Sequence, residues 1–245
     1  MLATGNKTLN TYKLSIRAFA DGFSFSVVSL LDGTLMREEE MRVEPGDDPA
    51  QVLARILQRP RLTHYNYTVI ELQVASPSTI VPLDAFHRED MVSLYRLNFP
   101  QEETRKEDVQ YEMLSSMEVV VLFSLNVNLR NAVTDLYPEA TVRSLLSICM
   151  ERALAQHRKG DMKHADFFAY IGKEQMTLCA MREGKLHFAC SYEAKEDADR
   201  LFHLLAVWKT LEMDNEADTC HAEGLSTHLQ EELRRYIRNV ETVCE

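Results

Sequence analysis

The chain carries one phrase twice, and that repetition limits its possible folds more than any single motif. From Tyr12 to Leu57 the sequence reads as strand, strand, a two-residue turn, strand and an acid-capped amphipathic helix, and Phe167 to Leu205 gives the same order again. The turn Asp32-Gly33-Thr34-Leu35 lies over Glu183-Gly184-Lys185-Leu186 at an offset of 151, and the helix set Leu53, Ile56, Leu57 lies over Leu201, Leu204, Leu205 at an offset of 148. One three-residue deletion between turn and helix reconciles the halves. A block that recurs on this scale points to two copies of one supersecondary unit, each with its own buried face.

Local patterns support the phrase. Tyr12 to Ala20 alternates apolar and polar residues, and Phe23 to Leu31 does so again after Asp21-Gly22, which predicts two antiparallel strands. Asp32-Gly33 tolerates positive φ and predicts a tight hairpin into a third strand, Thr34 to Val43, whose Arg37, Glu38, Glu39 and Glu40 face water at least in part. Asp47-Asp48-Pro49 opens a helix to about Gln58, Tyr67 to Ala75 reads as a buried fourth strand, and Asp84 is placed to cap a helix through Leu97. Gln101 to Asp108, charged at six of eight positions, reads as a surface connection between halves 1–108 and 109–245.

The second half opens with a strand pair, Val109 to Leu114 and Glu118 to Leu125. A helix, Asn126 to Leu136, a short strand, Ala140 to Arg143, and a helix from Ser144 to Gln156 follow. The second copy adds strands near Phe167 to Ile171, Gln175 to Arg182 and Lys185 to Ser191. A long helix from Ala194 to Met213, a strand at Ala217 to Ala222 and a last helix from Ser226 to Val240 complete it. Leu201, Leu204, Leu205, Trp208 and Leu211 mark one apolar stripe of the long helix.

Charge and composition narrow the function classes. A net charge of −11 and a pI near 5.3 supply no concentrated positive field for phosphate backbones, so nucleic acid is not an expected partner. No apolar run reaches the ~18 residues of a membrane helix, and Met1 to Thr8 lacks the apolar core of a signal peptide, so a cytoplasmic protein is expected. The five cysteines, Cys149, Cys179, Cys190, Cys220 and Cys244, show no CxxC spacing and read as free thiols. His187, Cys190, Cys220 and His221 are the one set that adjacent strands of the second half could bring toward a zinc ion, though without paired close spacings.

The duplicated strand-strand-strand-helix-strand order resembles the ribonuclease-H-like halves of the actin-like ATPase fold, an α/β (α+β) architecture. The block Glu118 to Gln156 ahead of the second copy looks like the bacterial actin homologues of pilus-assembly and secretion platforms. The phrase Leu14-Ser15-Ile16-Arg17, followed by Asp21-Gly22-Phe23-Ser24-Phe25-Ser26, resembles a family of uncharacterised bacterial proteins assigned to that fold. The resemblance implies phosphate loops on the two hairpins that open each half, with backbone amides toward the phosphates and an aspartate toward the metal ion.

On that carry-over Asp21 and Gly22 form the first loop, Gly172 and Thr177 the second, and Gly224 the adenosine side, with ATP and magnesium as ligands. Each loop departs from the pattern. Phe23 follows Gly22 where a small residue belongs, Ile171 to Thr177 contains no aspartate, Glu223-Gly224 offers one glycine of a pair, and Asp166 stands at the wrong end of its strand. Asp21-Gly22 also reads as a plain turn, since Asp-Gly recurs at Asp32-Gly33 where only turn chemistry is in question. The expected function is therefore a non-catalytic adaptor or scaffold with a protein partner and no cofactor. The alternative is a divergent ATPase or sugar-kinase-like enzyme using Asp21.

Overall fold

The computed structural model describes residues 11–19, 21–101, 104–160 and 162–242 of the 245-residue chain. The first copy runs β1 (Tyr12–Ala18), β2 (Gly22–Ser29), β3 (Leu35–Arg42), α1 (Pro49–Leu57), α2 (Pro60–Thr63) and β4 (Tyr67–Val74). There follow β5 (Ser78–Pro82), α3 (Met91–Asn98), β6 (Val109–Leu114), β7 (Val119–Ser124), α4 (Val127–Thr134), β8 (Thr141–Ser144) and α5 (Leu145–His157). The second copy is β9 (Asp166–Ile171), β10 (Gln175–Arg182), β11 (Lys185–Glu193), α6 (Asp197–Thr210), β12 (Thr219–Glu223), α7 (Thr227–Leu233) and β13 (Asn239–Thr242).

Two compact units result. The first comprises the described residues of Met1–Ser76, Gln101–Gln110 and Ser124–Leu145, and holds a five-stranded sheet of order β3-β2-β1-β4-β8. β1 is antiparallel to β2 and parallel to β4, so the sheet is mixed, with the hairpins on one side and the parallel strands on the other. The alternation in β1 and β2 turns Leu14, Ile16, Phe25 and Val27 inward, and Leu53, Ile56 and Leu57 of α1, Leu72 of β4 and Val133 of α4 are buried as well, with α1 packed against α4 and β4 beside β1. α1 starts where the Asp48 carboxylate accepts the Ala50 amide at 3.0 Å with Pro49 in the first turn, and it stops before Pro60, which holds Arg59 in an extended conformation.

The second unit comprises the described residues of Pro77–Pro100, Tyr111–Phe123 and Leu146–Glu245. Its sheet has the order β11-β10-β9-β12-β13 with the same pattern of antiparallel and parallel pairs, so β9 to β12 repeat β1 to β4 and α6 repeats α1. This is the duplicated ribonuclease-H-like order that the sequence predicts. Gly33 and Gly184 occupy the matching hairpins at φ 74° and 75°. The core beneath gathers Phe167, Met176, Leu178, Leu204, Trp208, Leu233 and Ile237. Trp208 meets Phe167 edge to face at 5.6 Å, and its indole N–H donates to Asn215 Oδ1 at 2.8 Å, so its one polar atom is satisfied on burial.

Several local expectations need correction. The β2–β3 connection spans residues 30–34 instead of two, because Gly33 N–H closes back on the Ser29 carbonyl. The helix expected from Asp84 is confined to Met91–Asn98, and Ser78–Pro82 ahead of it is a strand. That strand pairs with β7, Ser78 opposite Phe123, about forty residues away, and no local pattern announces such a partner. The last helix ends at Leu233, and Asn239–Thr242 becomes β13, parallel to β12 with Val240 opposite Cys220. Among the described residues no helix is long and apolar enough to cross a membrane.

Candidate functional site

In the first unit, the β1–β2 turn places Asp21 on the surface, with its carbonyl accepting the Val43 amide at 3.0 Å. Gly22 begins β2 opposite Arg42. A Cβ there would stand 2.2 Å from the Met41 carbonyl oxygen, so the adjoining strand requires glycine whatever binds nearby. Phe23 faces inward, 2% exposed, and packs beside Phe25.

The second unit gathers Gly172 and Gly224 at one end of its sheet. Gly172 follows β9, and its N–H donates to the Gln175 carbonyl at 2.8 Å. Arg200 of α6 reaches into the same turn, donating to the Gly172 carbonyl at 3.1 Å and the Lys173 carbonyl at 2.9 Å. Its guanidinium also holds Asp197 Oδ1 at 2.9 Å, and Asp197 Oδ2 accepts the Ser226 hydroxyl at 2.5 Å. The Ser226 hydroxyl, and then Arg200, hold the Asp197 carboxyl below the usual carboxylate range. Ser226 Oγ in turn accepts the Leu229 amide, so the first turns of α6 and α7 share one network with the β9–β10 turn. Gly224, at φ 77°, lies against β9; a Cβ there would come 2.2 Å from the Ile171 carbonyl oxygen. Thr177 is 4% exposed inside β10, its hydroxyl bonded to Ser191 directly across the strand pair at 2.9 Å. Beside the turn, Arg152 pairs with Glu223 and lies 5.1 Å over the Tyr170 ring.

The opposite end of this sheet carries a polar cluster that sequence reasoning missed. Asp166, at the first position of β9, accepts from His157 Nδ1 at 2.6 Å and contacts His221 Nε2 at 2.8 Å. The fully buried His157 ring accepts the Gly184 amide on Nε2 at 3.1 Å, which places its proton on Nδ1. Burial alone would raise the Asp166 carboxyl, but hydrogen bonds from His221 and His157 more than offset it and hold the group below the usual range. His221 Nδ1 is 3.1 Å from Glu241 Oε2, near enough for ion pairing yet misaligned for a hydrogen bond. Asp166, His221 and Glu241, with Lys159, His164 and Thr219, line an open cavity of about 370 Å³. Nothing local signals this cluster, because its members lie 9, 27 and 55 positions apart.

His187, Cys190, Cys220 and His221 are not brought together. β10 and β9 separate β11, which carries His187 and Cys190, from β12, which carries Cys220 and His221. Among the described residues no group of three or more metal-ligating side chains is placed to hold an ion, and Cys149, Cys179, Cys190 and Cys220 form no disulfide. Burial raises the Cys179 thiol well above its ordinary value and pushes Cys220 up to about 12, which leaves both inert as nucleophiles near neutral pH.

The architecture has clear counterparts. A protein of unknown function from Bacteroides thetaiotaomicron with an actin-like ATPase fold superposes with a TM-score of 0.81 and 26% identity, over 99% of this chain and 94% of its own. The PilM–PilN type IV pilus biogenesis complex superposes with a TM-score of 0.56 and 14% identity, over 94% of this chain and 88% of that chain. The fold is thus that of the actin-like ATPases. No curated protein matches the chain. Residues 4–240 match one family model, so this duplicated chain belongs to the family described as protein of unknown function (DUF3822).

Proposed function

We propose that this chain is a non-catalytic member of the actin-like fold that acts through protein–protein contacts. The observation that carries the reading is that the glycines and the threonine expected to meet a nucleotide already serve the protein's own packing. Gly22 and Gly224 admit neighbouring carbonyls, Gly172 N–H closes its own turn, Arg200 holds the turn carbonyls, and Thr177 bonds Ser191. The similar PilM structure was solved with PilN, so this fold does occur in a protein assembly.

The rival reading is a divergent ATPase in which Asp21 holds the metal ion. Thermal unfolding with millimolar ATP and magnesium separates the two. A ligand bound only to the folded state at 100 times its Kd adds ~2.7 kcal/mol, an effect of several degrees in Tm. The adaptor reading expects no shift. A rise of several degrees that Asp21→Ala abolishes would replace it with the enzyme.

A further inference from the structure

The strand β3 forms one edge of the first sheet, and its outward side is a row of backbone groups with no strand beside it among the described residues. All eight of its side chains are exposed or half-exposed. They divide by face. Arg37, Glu39 and Met41 lie on the side of α1 and α2, where Glu39 pairs with Arg37 and stands 3.9 Å from Arg61, and where Arg59 contacts Met41. Glu38, Glu40 and Arg42 lie on the other side, opposite Ser26, Ser24 and Gly22 of β2. At the hairpin end the edge becomes apolar, with Leu30, Leu31, Leu35 and Met36 at 45%, 74%, 53% and 46% exposure.

The charges select among occupants of this edge. A second copy pairing antiparallel through β3 would obey a two-fold axis perpendicular to the sheet, so residues of equal parity would face one another. Centring that axis on Glu39 sets Glu38 against Glu40 and Glu39 against itself; centring it on Glu38 or Glu40 sets that glutamate against its own copy. Like charges directly opposite destabilise the register centred on Glu39, whereas an axis on Glu38 or Glu40 also brings Arg37 against Glu39 or Glu38 against Arg42, so the charges oppose only the Glu39-centred duplicate. The same carboxylates favour a strand of opposite sign. Between Asp32 and Asp48 the sequence carries seven carboxylates and two arginines, which extends the negative field along the strand and past its end.

We infer that β3 is a docking edge for an extended basic segment of a partner protein. The segment adds as a further strand, with lysine or arginine at alternate positions over Glu38 and Glu40 and apolar residues over Leu35 and Met36. Backbone hydrogen bonds along the edge supply the common affinity, and the alternating charge supplies the choice of partner. This rests on the protein-contact reading above and assigns it a surface and a partner chemistry.

The test uses the full chain and a labelled nine-residue peptide alternating lysine and valine, with binding read by fluorescence anisotropy at low salt. Binding is expected, with none for the same peptide carrying glutamate in place of lysine. N-methylation of the three central residues removes backbone donors on both edges without changing charge, and should weaken binding at least about tenfold. The double variant Glu38→Lys/Glu40→Lys alters exposed side chains only and should cost about tenfold at an unchanged Tm. Equal binding of the N-methylated peptide would reduce the effect to plain charge attraction and overturn strand addition. No binding of the lysine peptide, binding indifferent to the double variant, or a dimer of the chain that this variant disrupts would each overturn the assignment. None of these results would touch the nucleotide question, which the melting experiment decides separately.

Discussion

The β2–β3 and β10–β11 hairpins are the same element in two settings. In the second, Glu183 and Gly184 both take left-handed conformations, at φ 53° and 75°, and close a two-residue turn from Arg182 to Lys185. The Gly184 amide is then held by buried His157, and β5 lies alongside β11. In the first, a five-residue connection is held by backbone bonds from Gly33 to Ser29 and from Leu30 to Thr11, with Asp32 accepting the Thr34 amide and the Ser29 hydroxyl the Leu31 amide, while its leucines stand in water. One phrase, acid-glycine-x-leucine, thus specifies where the chain reverses but not what surrounds the reversal. The second copy ties its hairpin into the fold, and the first leaves its hairpin exposed.

The largest effect should come from the core beneath the second hairpin. Trp208 is 3% exposed, touches Phe167 and has its N–H satisfied, so Trp208→Ala should cost ~3 to 5 kcal/mol in urea denaturation. A loss below ~1 kcal/mol would mean that α6 tolerates the missing ring and that the second hairpin rests on less than its packing indicates.

Next comes the cluster that fastens this hairpin from below. Asp166→Ala leaves two buried imidazoles without their shared acceptor and should cost ~3 kcal/mol at neutral pH. Because the folded-state carboxyl titrates below its ordinary 3.8, its contribution is whole above that value and is lost as pH falls through the depressed one. The native chain should therefore lose stability more steeply on acidification below about pH 4 than the variant does. Parallel acid limbs in the two proteins would show that this carboxylate is not what acid titrates.

How much of this was legible in sequence varies with the range of the forces involved. β1, β2 and α1 follow from alternation, helical spacing and a cap, all within a few residues. β5 and β13 do not, because each is a strand only through a partner far along the chain. The glycines of the candidate loops were visible, but the reason for them was not. Met41 and Ile171 press their carbonyls against Gly22 and Gly224 across 19 and 53 positions, and a glycine required by a neighbouring strand looks the same in sequence as one required by a phosphate. His157 lies one position past the helix expected over Ser144 to Gln156 and carries no signal of its own, since the aspartate and amide that fix its ring meet only in the folded unit.

A smaller effect compares the two turn glycines directly. Ala at a left-handed position costs ~1 to 2 kcal/mol, so Gly33→Ala and Gly184→Ala share that term. A Cβ meets nothing within 4 Å at Gly33 and only an ordinary contact with Met162 Sδ at 3.7 Å at Gly184, but the Gly184 amide must still reach His157 from the strained turn. Gly184→Ala should therefore be the more damaging of the two in thermal unfolding. Equal losses would indicate that the His157 contact adds little to the turn.

The smallest effect is expected where the first hairpin is most open. Leu31 is 74% exposed, and its amide, not its side chain, takes part in the turn through Ser29. Leu31→Ser keeps that amide and removes only apolar surface already in water, so the change in stability should stay within ~0.5 kcal/mol. A loss above ~1 kcal/mol would show that the leucine is packed in solution, and the contrast between the two hairpins would fail at its clearest point. With stability unchanged, weaker binding of the lysine–valine peptide to this variant would extend the docking edge from β3 into the turn, and unchanged binding would end it at Leu35.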